Sequence, residues 1–323
     1  MTAKPRTDMN YTSIPEDAIR QAIDAEAVFT EFHKTRKRAQ AYAPGMYWKQ
    51  EREGEQLVKT LPHKRQERLG RRSPETEKIY AAYISKKEEI EMRVATLAAE
   101  MDKHRRLNKA LRVGRVPNIV VELLQELEHA GLSEHFTVVG THALYAYETA
   151  AGVRILPAAL ATQDVDLLWD ARKKVRFLAE MEKLQVSVLD ILRKVDRSFE
   201  RKEGALETAV NNKGFEVDFL RRPNQEGDEH PFQLSNDEND LWVIQALRAD
   251  VLTQSPKFER VVFAANGAMA TMKTIDPQVF VEFKNWLATE APNRDTLKRR
   301  RDAQQASIVK DLIEEGLLIP AKR

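Results

Sequence analysis

The chain has 323 residues, 42% of them hydrophobic and 32% charged, with a formal net charge of +2 and no cysteine. That length can bury one large core or two ordinary ones. The missing thiols exclude disulfides, thiolate metal sites and cysteine nucleophiles, and the near-zero balance excludes nucleic-acid binding by bulk charge alone.

No apolar signal-type run opens the sequence, and none approaches the roughly 18 residues of a membrane helix, so a cytoplasmic protein with no membrane partner is expected. Residues 1–10 are polar and read as loose. From Ile14 to Lys59 apolar residues recur at helical spacing, interrupted by Pro44-Gly45. The stretch 59–73, with Pro62, Gly70 and clustered arginines, reads as a basic linker or arm. A helix then begins cleanly: Ser73 caps, Pro74 suits the first turn, and Glu75 and Glu77 favour the positive end of the dipole. Its pattern (Ile79, Tyr83, Ile90, Met92, Leu97, Met101) continues to about Leu111. Another helix is predicted over 117–130, stopped by Gly131.

The texture changes at Phe136. Phe136-Thr137-Val138-Val139 predicts a buried strand ending at Gly140, followed by helical spacing from Thr141 to Ala151 and a stop at Gly152. Val165–Trp169 predicts a second strand, and 175–197 a helix. Leu206–Asn211 and Phe215–Leu220 flank Asn212-Lys213-Gly214 as a hairpin, and Phe258–Ala264 and Ala268–Ile275 flank Asn266-Gly267 as another. Asp276-Pro277 caps a helix, and Asn293 or Asp295 starts the last one, which ends at Gly316. Helices, then mixed strands and helices, then helices again make an α+β fold. The division is a helical N-terminal extension at 1–115, a core at 116–222 and a hairpin-plus-helix region at 223–323.

The sharpest chemistry lies in Asp164-Val165-Asp166. On a strand the two carboxylates share one face while Val165 points to the core. Adjacent carboxylates repel unless a cation neutralises them, and carboxylate oxygen suits Mg²⁺ or Mn²⁺. Glu216-Val217-Asp218 repeats the alternation on a hairpin, so Asp164, Asp166 and Asp218 can hold divalent ions as phosphoryl-transfer sites do. Glu216 reads as a solvated neighbour. Val139-Gly140-Thr141-His142 takes a strand into a helix through a glycine, which allows close backbone approach and offers N–H groups to a phosphate. His142 reads as a helix-start residue, Tyr145 and Tyr147 as packing.

Together, Gly140-Thr141, Asp164-Val165-Asp166 and the later Asp218 resemble the polymerase-beta-like nucleotidyltransferase superfamily. More narrowly, Arg115-Val116-Pro117, Val139–Glu148, Thr162–Leu168 and Lys298–Asp302 resemble a bacterial family of nucleotidyltransferase-fold proteins with a helical N-terminal extension. The chain is also distantly similar to the nucleotidyltransferase toxins of abortive-infection systems. The narrower resemblance covers most of the chain from about residue 70, the catalytic pattern only 136–220. It departs from the superfamily in having Thr141 as the turn's second small residue. A long gap at 142–163 is the other departure, and Gly152–Ala161 within it is expected to loop over the site.

The resemblance implies transfer of a nucleoside monophosphate from a nucleoside triphosphate to a hydroxyl, with metal on Asp164, Asp166 and Asp218 and phosphates on Gly140 and Thr141. It implies a triphosphate contact from Lys284; the bland alternative is a lysine on a solvated helix face. One or two cations of Lys298–Arg301, Arg299 among them, are expected on phosphate, with Asp302 pairing locally. Arg105, Lys109 and Arg112 fall at i, i+4, i+7, either an RNA-backbone stripe or a solvated helix end. The acceptor stays open between RNA, a tRNA 3′ end in particular, and a protein hydroxyl. The toxin likeness brings in an antitoxin partner. The alternative function is a catalytically inactive module that binds nucleotide or RNA.

Overall fold

The computed structural model describes residues 10–52, 54–61 and 65–321. All but the last residue of the expected loose segment 1–10 lies outside the described residues. β1 (Tyr11–Ser13) and α1 (Glu16–Gln40) come first. β2 (Met46–Glu51), β3 (Gly54–Thr60) and β4 (Gln66–Arg71) then form an antiparallel sheet in the order β2-β3-β4. Residues 46–59 are therefore a hairpin rather than helix, and 59–73 carries a strand rather than a linker. The cause is a period of two that alternate charged residues conceal: Met46 and Leu57 are buried on one face, while Lys49, Gln56 and Arg68 stand on the other. Gly54, at φ +116°, closes the β2–β3 turn.

α2 (Pro74–Ala110) starts as its sequence dictates, with Ser73 and Thr76 capping each other reciprocally. Gln21 near the start of α1 donates to Asn108 near the end of α2, and Tyr83 donates to the carbonyl of Tyr42, so the two helices run antiparallel. Residues 20–111 form one compact unit; 112–321 and the segment before Arg20 form another.

The second unit opens with α3 (Asn118–His129), whose Val120, Val121, Leu123 and Leu127 are buried. β5 (Phe136–Val139), α4 (Ala143–Ala151), β6 (Val153–Ile155), α5 (Pro157–Leu160) and β7 (Asp164–Trp169) follow. The expected loop at 152–161 is thus built into β6, which pairs with β1, and α5. The helix expected over 175–197 is two, α6 (Lys174–Leu184) and α7 (Val188–Val195). Gln185 at φ +49° ends the first, and Ser187 caps the second with help from the buried Asp240 carboxylate.

β8 (Glu200–Arg201), β9 (Thr208–Val210), β10 (Glu216–Arg221), β11 (Phe232–Gln233) and β12 (Trp242–Gln245) complete the main sheet, ordered β11-β12-β10-β7-β5, with β9 also on β10 and β8 on β9. β7, β10 and β12 are parallel to one another, while β5 and β9 run against their neighbours. The result is a mixed sheet among helices, the expected α+β class. α8 (Ala249–Gln254) leads to the hairpin β13 (Lys257–Phe263) and β14 (Met269–Ile275), then α9 (Pro277–Thr289) and α10 (Thr296–Glu314). Asp276 caps α9 and Asp295 caps α10.

Candidate active site

Register decides which acids meet. β7 lies parallel to β10 with Asp164 opposite Glu216 and Asp166 opposite Asp218, and residues paired across a sheet share a face. The alternate residues Val165, Val217 and Phe219 are fully buried on the other face. A slip of one residue would drive the acids into the core, so the apolar alternates fix the carboxylates in place. Oxygens of Asp164, Asp166 and Asp218 lie within 4.8 Å of one another. Glu216 shares their face but turns to Lys202 at 2.6 Å and stands outside the group.

The acids oppose one another's charge. Burial first, then the charges of Asp164 and Asp218, push the Asp166 carboxyl up to about 7 against the pull of Lys284 and Arg294. Burial also raises Asp218, with Asp164 and Glu216 adding to it, although the Thr208 hydroxyl that donates to it at 2.6 Å works the other way. Thr162 donates to Asp164. Three hard oxygen donors without thiolate or imidazole suit a divalent ion such as Mg²⁺ or Mn²⁺, which would offset both the burial and the mutual repulsion that raise Asp166 and Asp218.

Gly140 has no freedom to be anything larger. Its φ is +69°, and a Cβ there would overlap Oδ2 of Asp166. Gly140→Ala is expected to cost about 1–3 kcal/mol of stability and to weaken Mn²⁺ binding more than about tenfold, read from thermal melts and from the spin-resonance signal of free Mn²⁺. Thr141 is buried and its hydroxyl accepts from Gln305 at 3.2 Å.

Both residues open onto a cavity of about 310 Å³ that also holds Asp164 and Asp166. Its other walls divide by chemistry. Lys284, Arg294, Lys298 and Arg301 bring positive charge, while Leu247, Phe283 and Trp286 form an apolar side.

Lys284 lines this cavity from α9, but it does not lie on a solvated helix face: it is 3% exposed, and its Nζ donates to Asp302 at 2.8 Å. Asp302 does more than pair locally, since it also accepts from Arg294 at 2.9 Å and so joins α9, the intervening loop and α10. Arg299 turns elsewhere, donating to the carbonyls of Arg294, Ala288 and Ala291. It ties the α9–α10 connection together, and its neighbours Lys298 and Arg301 face the cavity instead.

His142 is buried, and burial pushes it down to about 4, leaving a neutral ring beside Tyr145 and Phe215. Tyr147 is packing, fully buried with its hydroxyl on the Ile275 carbonyl at 2.8 Å. Arg105 and Lys109 are exposed on α2, but Arg112 has left the helix at φ +52°, which breaks the expected stripe.

Some participants went unread in the sequence. Thr162 and Thr208 were legible in principle, one two residues before Asp164 and the other directly across the hairpin from Asp218. Asp302 is expected as a local partner, and its burial was legible too, four and seven residues before the buried Ala306 and Val309. Arg294 gives no such signal, because it sits in a loop.

A family model described as nucleotidyltransferase matches residues 118–321. No curated protein matches the chain, and neither does any solved structure. No helix among the described residues is long and apolar enough to cross a membrane.

Proposed function

The chain belongs to the nucleotidyltransferase family, and from that premise we propose that it moves a nucleoside monophosphate from a nucleoside triphosphate to an acceptor hydroxyl, with Mg²⁺ or Mn²⁺ on Asp164, Asp166 and Asp218. The observation that supports this reading is the gathering of those three carboxylates within 4.8 Å of one another, two of them, Asp164 and Asp166, lining a cavity that lysine and arginine also line. Divalent cations held there would supply Lewis acidity toward the triphosphate and the acceptor hydroxyl.

The chain's own residues do the rest. Gly140, lacking a side chain, lets the Asp166 carboxylate close against the backbone of the turn, and Thr141 offers a hydroxyl beside it. Lys284, Arg294, Lys298 and Arg301 offset phosphate charge, of which departing pyrophosphate carries the most. Leu247, Phe283 and Trp286 give the base an apolar surface. Thr162 and Thr208 hold Asp164 and Asp218 in orientation. The likeness to abortive-infection toxins supports RNA, a tRNA 3′ end above all, or a partner's protein hydroxyl as acceptor, with an antitoxin as the restraining partner.

The test is to incubate the full chain with each α-labelled triphosphate, Mg²⁺ and total RNA or lysate, and to locate the label. Wild-type protein is expected to place it on a macromolecule, and folded Asp164→Ala protein to do so at least about 100-fold more slowly. Equal rates for the two would overturn the proposal.

A further inference from the structure

The three-stranded sheet of residues 46–71 takes no part in the site above, and its open face has a chemistry of its own. One face is committed to packing: Met46 and Leu57 are buried, and Trp48 lies against Tyr80 of α2 with ring centroids 5.8 Å apart. Alternation sends Tyr47, Lys49, Gln56, Gln66, Arg68 and Arg71 to the opposite face, all of them at least partly exposed. Arg52 and Arg65 are exposed beyond its ends. Among the described residues one carboxylate interrupts this field, Glu51, which pairs with Arg68 at 3.0 Å and Lys49 at 3.8 Å. Val58, flanked by its pair partners Tyr47 and Arg68, is fully buried, so the face offers little apolar surface to a protein partner.

We propose that this face docks in the major groove of duplex DNA. Two adjacent strands of this sheet, about 4.8 Å apart, make the β-ribbon that the roughly 12 Å major groove of B-form DNA admits. The major groove of A-form RNA is too deep and narrow for side chains to read, so the geometry favours DNA over RNA. Charge and hydrogen bonding agree. Lysine and arginine meet phosphates or guanine edges, and glutamine amides match adenine, the complement that a groove reader needs. Gln66 and Tyr47 already brace each other across the sheet, Nε2 to phenol oxygen at 2.9 Å, which orders two of the groove-facing side chains before any DNA arrives.

Fluorescence anisotropy of the full chain with a labelled duplex of about 20 base pairs tests this without reference to transfer activity, so its failure and that of the enzyme reading are separable. DNA is expected to bind at least about tenfold tighter than RNA of the same sequence, and affinity to fall linearly with the logarithm of salt concentration. The Lys49→Ala/Arg71→Ala variant is expected to bind at least about tenfold more weakly, with the salt slope smaller by about 2. Arg52→Ala/Arg65→Ala, which leaves the strands untouched, must reduce the slope as well. Lys86→Ala/Lys87→Ala on α2 removes the same charge elsewhere and should keep affinity within about twofold. Absence of duplex binding, RNA binding as tight as DNA binding, or a salt slope that either the Lys49/Arg71 or the Arg52/Arg65 variant leaves unchanged would overturn the proposal. So would a lysate protein that occupies the face while duplex DNA does not.

Discussion

Asp166→Asn protein is expected to lose nucleotidyl transfer at least about 1000-fold and yet, in EDTA at pH 8, to melt at a higher temperature than wild type. Both effects follow from the same crowding. The Asp166 carboxyl titrates at about 7 because burial, Asp164 and Asp218 all disfavour its charge. The folded chain therefore holds a proton there that the unfolded chain, near the ordinary 3.8, gives up earlier. Folded stability consequently falls as pH rises from about 4 to about 7, and the full penalty stands above that.

Asparagine carries no such charge. The difference between the two proteins should be near zero at pH 4, open across that window and reach about 1–3 kcal/mol at pH 8, under the ceiling of about 4 kcal/mol that the displacement from 3.8 to about 7 sets. Saturating Mg²⁺ should close or reverse the gap, since wild type alone gains the full binding energy. Melting curves at both pH values, with EDTA and with Mg²⁺, decide it. A variant that melts no higher than wild type in EDTA at pH 8 would mean the carboxylates do not repel as described.

What the sequence made legible was whatever a short window determines. Strand parity put Asp164 and Asp166 on one face of β7 and Glu216 and Asp218 on one face of β10. Both hairpins formed at their asparagine–glycine or asparagine–lysine–glycine turns, and Ser73, Asp276 and Asp295 cap the helices they precede. What escaped depends on distant partners. β6 is only three residues long and exists because Tyr11–Ser13 pairs with it across more than a hundred residues of sequence. The sheet at 46–71 was hidden because lysine, arginine and glutamate occupy its open face, so its apolar residues are too few to declare a period. Arg299 illustrates a different limit: in a run of four cations the sequence cannot say which one turns toward backbone carbonyls and which toward a cavity.

Asp302→Ala is expected to destabilise the fold by about 3–5 kcal/mol, a larger effect than any surface ion pair would give. Asp302 is fully buried, takes Lys284 on Oδ1 at 2.8 Å and Arg294 on Oδ2, and Lys284 is itself 3% exposed. Burial already holds the Lys284 amine below its ordinary value while Asp302 works to restore it. Removing the carboxylate leaves a buried ammonium without its hydrogen-bonded counter-charge and with only the more distant Asp166 to offset it, whereas Arg294, at 27% side-chain exposure, can turn to water. The sign of the pH dependence distinguishes this from a simple packing loss. With its proton held more weakly in the folded than in the unfolded chain, Lys284 makes the variant's stability rise with pH up to about 10, because the neutral amine is cheaper to bury.

A second substitution separates charge from shape. Lys284→Met in the Asp302→Ala background removes the orphaned ammonium and should recover most of the lost stability, as replacement of a buried ion pair by apolar side chains commonly does. Transfer should stay depressed in the double variant, since the cavity has lost the positive charge of Lys284 from its lining. If the double variant is no more stable than Asp302→Ala alone, the loss lies in the packing of α9 on α10, and the uncompensated charge is not its cause.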